Sequence, residues 1–159
     1  MTTDRIEKKT VLRAPRDRVW NAIADATQFG AWFGMELEGP FVAGKKLAAK
    51  IRPTQVDPEV AKMQKQYDGA AFEIVVERVE PMRELAFRWH PFSVDKSVDP
   101  NEPMTLVQFL LDEAPGGTHL TIIESGFDKS PLERRAKAFT ANEGGWTKQL
   151  ELLARYLAR

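Results

Sequence analysis

From Leu132 to Leu157 the chain advances in steps of four and three residues through Leu132, Ala136, Phe139, Glu143, Trp146, Leu150, Leu153 and Leu157. At 100° per residue these positions share one side of an α-helix. The spacing predicts a helix roughly 40 Å long at 1.5 Å per residue, enough to run the length of a small domain. Its start is marked by Ser130, Pro131 and Glu133, a Ser-x-x-Glu capping box with proline at the first helical position. Every member of the stripe is apolar except Glu143. A carboxylate on a buried face costs several kcal/mol unless it is paired, hydrogen-bonded or wetted. Glu143 is therefore either a structural acid with a partner or the polar group of a ligand cavity. Gly144 and Gly145 follow it and mark a place where the helix can bend.

Upstream, the period changes to two. Arg5 to Arg13, Met35 to Glu38, Lys46 to Arg52, Ala71 to Glu80, Leu85 to His90, Met104 to Asp112 and His119 to Ser125 read as strands, each bounded by Gly, Pro or Asp. Ala114-Pro115-Gly116-Gly117 supplies a hairpin turn. Between the first two strands, Pro15 opens a short helix carrying Val19, Trp20 and Ile23, and a second short piece covers Gln28 to Phe33. Asp57-Pro58-Glu59 can cap a short helix reaching Tyr67, and Pro91 to Pro103 is an acidic, proline-bounded loop. Six consecutive strands with mostly short links argue for an antiparallel sheet, and a curved sheet wrapped around the terminal helix is the economical arrangement. A hollow left between the two would suit an apolar ligand with a few polar contacts.

Parity along the strands says what lines that space. Leu120, Ile122 and Glu124 share a face, with Val107, Phe109 and Leu111, then Leu85, Phe87 and Trp89, then Phe72, Ile74 and Val76 on successive strands. Glu124 becomes a second inward acid, for which inward Lys8 is a candidate counter-ion, although a long lysine can also snorkel out. Phe29, Trp32 and Phe33 form an aromatic group of core or pocket-rim type.

The 159 residues, with 43% hydrophobic content, fit one soluble domain over 1–159. Equal numbers of basic and acidic residues, 23 each, remove the bulk electrostatic support that nucleic-acid binding needs. With no cysteine, thiol nucleophiles and cysteine-zinc sites are excluded. No signal-like start or long apolar run appears, so the expected location is the cytoplasm, with no membrane span. Gly39 to Lys46 has the Gly-Lys spacing of a phosphate loop, but Lys46 stands where a hydroxyl is needed and a strand follows instead of a helix. His90 and His119 are isolated, so no metal site is expected, and Glu124-Ser125-Gly126 lacks the context of a nucleophile elbow.

Ala14-Pro15 with Val19-Trp20, the run Phe72 to Pro81, Phe87-Arg88-Trp89, Glu124-Ser125-Gly126-Phe127 and Asn142-Glu143-Gly144-Gly145-Trp146 together resemble the START-like, or SRPBCC, superfamily. Within it they are similar to the branch of homologues of the activator of the 90-kDa heat-shock protein ATPase. The resemblance implies the helix-grip fold, an α+β architecture. The superfamily spans lipid and hormone carriers, cyclases and dehydratases, oxygenase subunits and chaperone activators, so the choice rests on the inward acids in an otherwise apolar lining, which point to a small hydrophobic or amphipathic ligand held between the sheet and the last helix. For that site the expected lining is Trp32, Phe33, Phe72, Trp89, Phe109, Glu124, Phe139, Glu143 and Trp146. No cofactor is expected. Two alternatives stand beside this: a cyclase- or dehydratase-type enzyme with Glu143 or Glu124 as acid or base, and a chaperone-interacting protein that uses the 91–103 loop or exposed helix residues such as Leu152 and Tyr156. A homodimer is left open.

Overall fold

The computed structural model describes residues 5–90, 103–129 and 132–158, with backbone only at 132–137. The Ser130-Pro131-Glu133 capping box and the acidic loop, except Pro103, lie outside the described residues. The elements run β1 (Arg5–Leu12), α1 (Arg16–Ala24), α2 (Ala26–Phe33), β2 (Met35–Leu37), β3 (Lys46–Ile51), α3 (Pro58–Gln64), β4 (Ala71–Glu80), β5 (Glu84–Trp89), β6 (Thr105–Ala114), β7 (Gly117–Ser125) and α4 (Leu132–Leu157). All strand pairs are antiparallel in one seven-stranded sheet ordered β1-β7-β6-β5-β4-β3-β2. This is the expected α+β arrangement, with two short helices after the first strand and a long helix at the C-terminal end.

Local chemistry explains the boundaries. Asp25 separates α1 from α2 because its side chain accepts from the Thr27 N–H and caps the second helix. Gly34 ends α2 with φ +99°, a left-handed conformation that favours glycine. The β6–β7 hairpin closes between Ala114 and Gly117, with Gly116 at φ +77° in the turn. A register shift between Val76 and Arg78 in β4 marks a bulge, a device that bends a sheet.

The core sits where α1, α2 and α4 meet the concave side of the sheet. Phe29 is its centre, with ring contacts at 4.8–6.4 Å to Trp32, Phe33, Phe41, Phe87 and Phe109. Trp32 is fully buried and donates its indole N–H to the Ala22 carbonyl at 2.8 Å, which ties α2 to α1. The Phe33 carbonyl, at the open end of α2, receives amide donors from both Gln64 and Gln149, which satisfies an orphan helix-end acceptor from two other elements.

α4 packs on the core through much of its apolar stripe, but not along the stripe's centre. Among the described side chains Ala138, Trp146, Leu152 and Leu153 are buried, and Phe139, Asn142, Gln149, Leu150, Tyr156 and Leu157 are half-buried. Glu143 is exposed. At 100° per residue the buried side is centred roughly 60° from the stripe. The inward position expected for Glu143 is therefore corrected, and so is the exposure expected for Leu152, which is 0% accessible.

The far end of α4 is fastened by Asp57, the N-cap of α3. Its carboxylate accepts from the Glu59 and Val60 N–H groups and meets Arg155 at 3.0 Å. Its pKa is lowered, first by the Val60 hydrogen bond, then by Glu59, Arg155 and Lys148. Because the folded carboxyl titrates below its unfolded counterpart, the stabilisation is complete above the unfolded value and is lost as pH falls through the folded one. Asp57→Asn keeps a capping oxygen but removes the charge. It should lower the melting temperature at pH 7, and the gap to the wild type should close as pH falls below about 4. Thermal unfolding at pH 7 and pH 3 checks this, and an unchanged gap would contradict it.

Candidate functional site

Strand parity places Glu124 at the end of β7 on the concave side, opposite Val107 and Ile6 in the neighbouring strands. The side chain is 0% accessible. Oε1 accepts from Asn142 Nδ2 and Trp146 Nε1, both at 2.8 Å, while Oε2 accepts from Trp89 Nε1 at 2.8 Å and Thr105 Oγ1 at 2.5 Å. Indole N–H groups only donate, and four donors match the acceptor capacity of a carboxylate anion. Lys8, the candidate counter-ion, is not among its partners. Glu124 makes no salt bridge with any described residue. Glu84, the other buried glutamate, does have a cation, Arg78 at 2.7 Å, in addition to Gln108.

The four donors come from three elements: the end of β5, the start of β6 and the middle of α4. They draw the two tryptophans together, with ring centroids 5.8 Å apart and planes at 28°. Phe33 stands edge-on to both, at 6.0 Å from Trp89 and 5.8 Å from Trp146. Behind them Phe109 supports Trp146 at 5.7 Å and Phe87 supports Trp89 at 5.3 Å.

In front of this aromatic group lies a cleft of about 180 Å³, lined by Phe33, Trp89, Asn142, Gly145, Trp146 and Gln149. At roughly 30 Å³ per water, it has room for about six waters. Gly145 leaves one wall without a side chain, and an added Cβ there would meet nothing within 4 Å. Gln149 is fixed by the bond from its Nε2 to the Phe33 carbonyl at 3.0 Å, while its Oε1 is buried without a partner. A larger hollow, about 610 Å³, lies elsewhere, between α2 and the β2–β3 edge near Arg52 and Pro53. Arg52 is already held there by Glu36 and Asp68, so no unpaired charge defines a ligand.

Of the expected site residues, the structure brings together Phe33, Trp89, Trp146 and, beneath them, Glu124. Trp32 and Phe109 are 0% accessible members of the core. Phe139 packs on Phe127 at 5.5 Å, away from the cleft, and Phe72 is half-buried on β4 opposite Ala49. Asn142, Gly145 and Gln149 were not anticipated as cleft residues, because an apolar periodicity passes over amides and glycines. Their spacing was the available signal: 142, 145 and 149 repeat at three and four residues, as a helix face does. The described residues contain no group of three or more His, Cys, Asp or Glu able to hold a metal, and none of their helices is long and apolar enough to cross a membrane.

A family model described as Activator of Hsp90 ATPase homolog 1-like protein matches residues 13–158. Among solved structures, DynU16, from the dynemicin biosynthetic locus, is similar at 27% identity with a TM-score of 0.68; the match covers 98% of this chain and 47% of DynU16. The chain thus spans about half the length of that relative. MLL2253 from Mesorhizobium loti matches at 20% identity and TM-score 0.71, covering 98% of this chain and 97% of that one. BPP1335 from Bordetella parapertussis matches at 24% identity and TM-score 0.69, with 99% and 76% covered. These two likenesses show the fold alone. No curated protein matches the sequence.

The Glu124 network makes a stability prediction. Glu124→Gln turns one acceptor into a donor facing other donors, and should cost about 1–3 kcal/mol. Because Trp146 shares the network, the Glu124→Gln/Trp146→Phe double variant should lose less than the sum of the two single variants. Urea unfolding of the four proteins measures both quantities, and strict additivity would argue against the network.

Proposed function

The chain belongs to the family of activator of Hsp90 ATPase homolog 1-like proteins, and within that fold we propose that the cleft over Glu124 receives a small, mainly apolar or amphipathic molecule. The observation that carries this reading is a cleft walled by Phe33, Trp89 and Trp146, with the tryptophan rings fixed from below and the side chains of Asn142 and Gln149 at its side. Aromatic walls favour apolar groups, and a few placed polar atoms set orientation. At about 180 Å³ the cleft takes a fragment or one end of a longer molecule. The space is confined to this end because Phe29, Trp32, Phe87, Phe109, Leu152 and Leu153, all fully buried, fill the described middle of the grip.

Binding is favoured over proton transfer. A general acid or base needs an accessible position toward substrate. Glu124 has its acceptor positions occupied by four protein donors, and Glu143 is exposed on the side of α4 away from the buried line. The chaperone alternative loses one of its two surface residues, since Leu152 is buried, while Tyr156 is half-buried with its hydroxyl on Gln28 at 3.0 Å. DynU16, the 27%-identical relative, comes from a biosynthetic locus, which agrees with a small-molecule ligand class.

The chain has four tryptophans, which makes the test internal. In ¹H–¹⁵N spectra, millimolar phenol or cyclohexanol should move the indole N–H signals of Trp89 and Trp146 and leave those of Trp20 and Trp32 in place. Gly145→Leu should fill the cleft and abolish the response without lowering the melting temperature, because leucine is the better helix former. Equal shifts at all four indoles, or none, would overturn the proposal.

A further inference from the structure

We infer that the group this cleft selects is a small organic ammonium ion; the inference rests on the binding reading above and adds the sign of the ligand's charge. Two observations point the same way. The first is the charge beneath the cleft. Glu124 is fully buried and, among the described residues, meets only neutral donors, three of which, Trp89, Trp146 and Asn142, are themselves cleft walls. Its negative charge is thus one hydrogen-bonded side chain away from anything in the cleft, where low polarity screens it poorly.

The second observation is the lining. Among the described residues it contains three aromatic rings and no lysine, arginine or histidine. The nearest helix lysine along α4, Lys148, is exposed and engaged by Glu151 at 3.1 Å. A cation near aromatic rings is attracted by their quadrupoles, most strongly where water is excluded. Here the indoles also donate to a carboxylate, and hydrogen bonds in such a chain polarise one another. The negative charge below and the electron-rich rings above add for a cation and oppose an anion.

A pair of probes separates charge from shape: choline and its neutral carbon isostere, 3,3-dimethylbutan-1-ol, titrated while the Trp89 and Trp146 indole signals are followed. Choline should bind at least fivefold more tightly, the scale expected of a partly desolvated cation–π contact. Gly145→Leu should abolish its binding, and Glu124→Gln should bring the two affinities together. If the isostere binds as well as choline or better, through the same indole signals, the ammonium inference fails and the apolar cleft stands. If neither probe moves those signals, both readings fail. Should Glu124→Gln not fold, the wild-type comparison of the two probes decides by itself.

Discussion

One buried carboxylate with no cation partner among the described residues sets the geometry at this end of the molecule. Desolvating a charge costs several kcal/mol, and attraction to a partner normally offsets it. Glu124 is stabilised instead by four neutral hydrogen bonds, two to each oxygen. Hydrogen bonds to a charged group are about twice as strong as neutral ones, so four of them constitute a substantial stabilisation. Their direction has a further consequence. Trp89 and Thr105 belong to the sheet while Asn142 and Trp146 belong to α4, so the acid is a junction at which the helix is locked onto the strands in one rotation.

That rotation explains why the sequence pattern located only part of the inward face of α4. A hydrophobic stripe assumes that the helix buries its most apolar side. Here Asn142 and Gln149 join the inward side because Glu124 and the Phe33 carbonyl offer them partners, and the helix turns to meet those partners. Trp146 and Leu153 stay in the core, Leu150 and Leu157 pack at its edge, and Glu143 is exposed. Strand parity was the better guide, since a pleated strand allows only two faces. It put Glu124, Leu120, Ile122, Val107, Phe109, Leu85 and Phe87 inward, and all are buried. The antiparallel sheet, the two short helices and the terminal helix were legible for the same reason: turn residues and period-two runs are local signals. The partner of a buried acid is not local. Trp89, Thr105, Asn142 and Trp146 are 35, 19, 18 and 22 residues from Glu124, and no spacing rule joins them.

The two buried glutamates of the sheet show how the same residue serves different ends. Glu84 opens β5, is 9% accessible and has Arg78 and Gln108 as partners. Its charge is neutralised locally and projects little beyond the pair. Glu124 lies at the other end of the strands, where every partner is neutral, so its field extends into the cleft above it. Difference in pairing, more than difference in burial, separates a structural acid from one that can act on a ligand.

Keeping that cleft open has an energetic cost that the sequence makes visible. Gly144 and Gly145 each sacrifice about 1 kcal/mol of helix propensity relative to alanine. Both glycines are exposed and an added Cβ at either would meet nothing within 4 Å, so alanine would recover that loss without a clash. A sequence shaped by stability alone would place alanine or leucine there, as the packed positions Ala138 and Leu153 of the same helix do. Buried unpartnered Gln149 Oε1 beside it is a second local loss. Two unfavourable features at one small opening, above rings held rigid by a buried charge, are what a binding site requires and a packed core would eliminate.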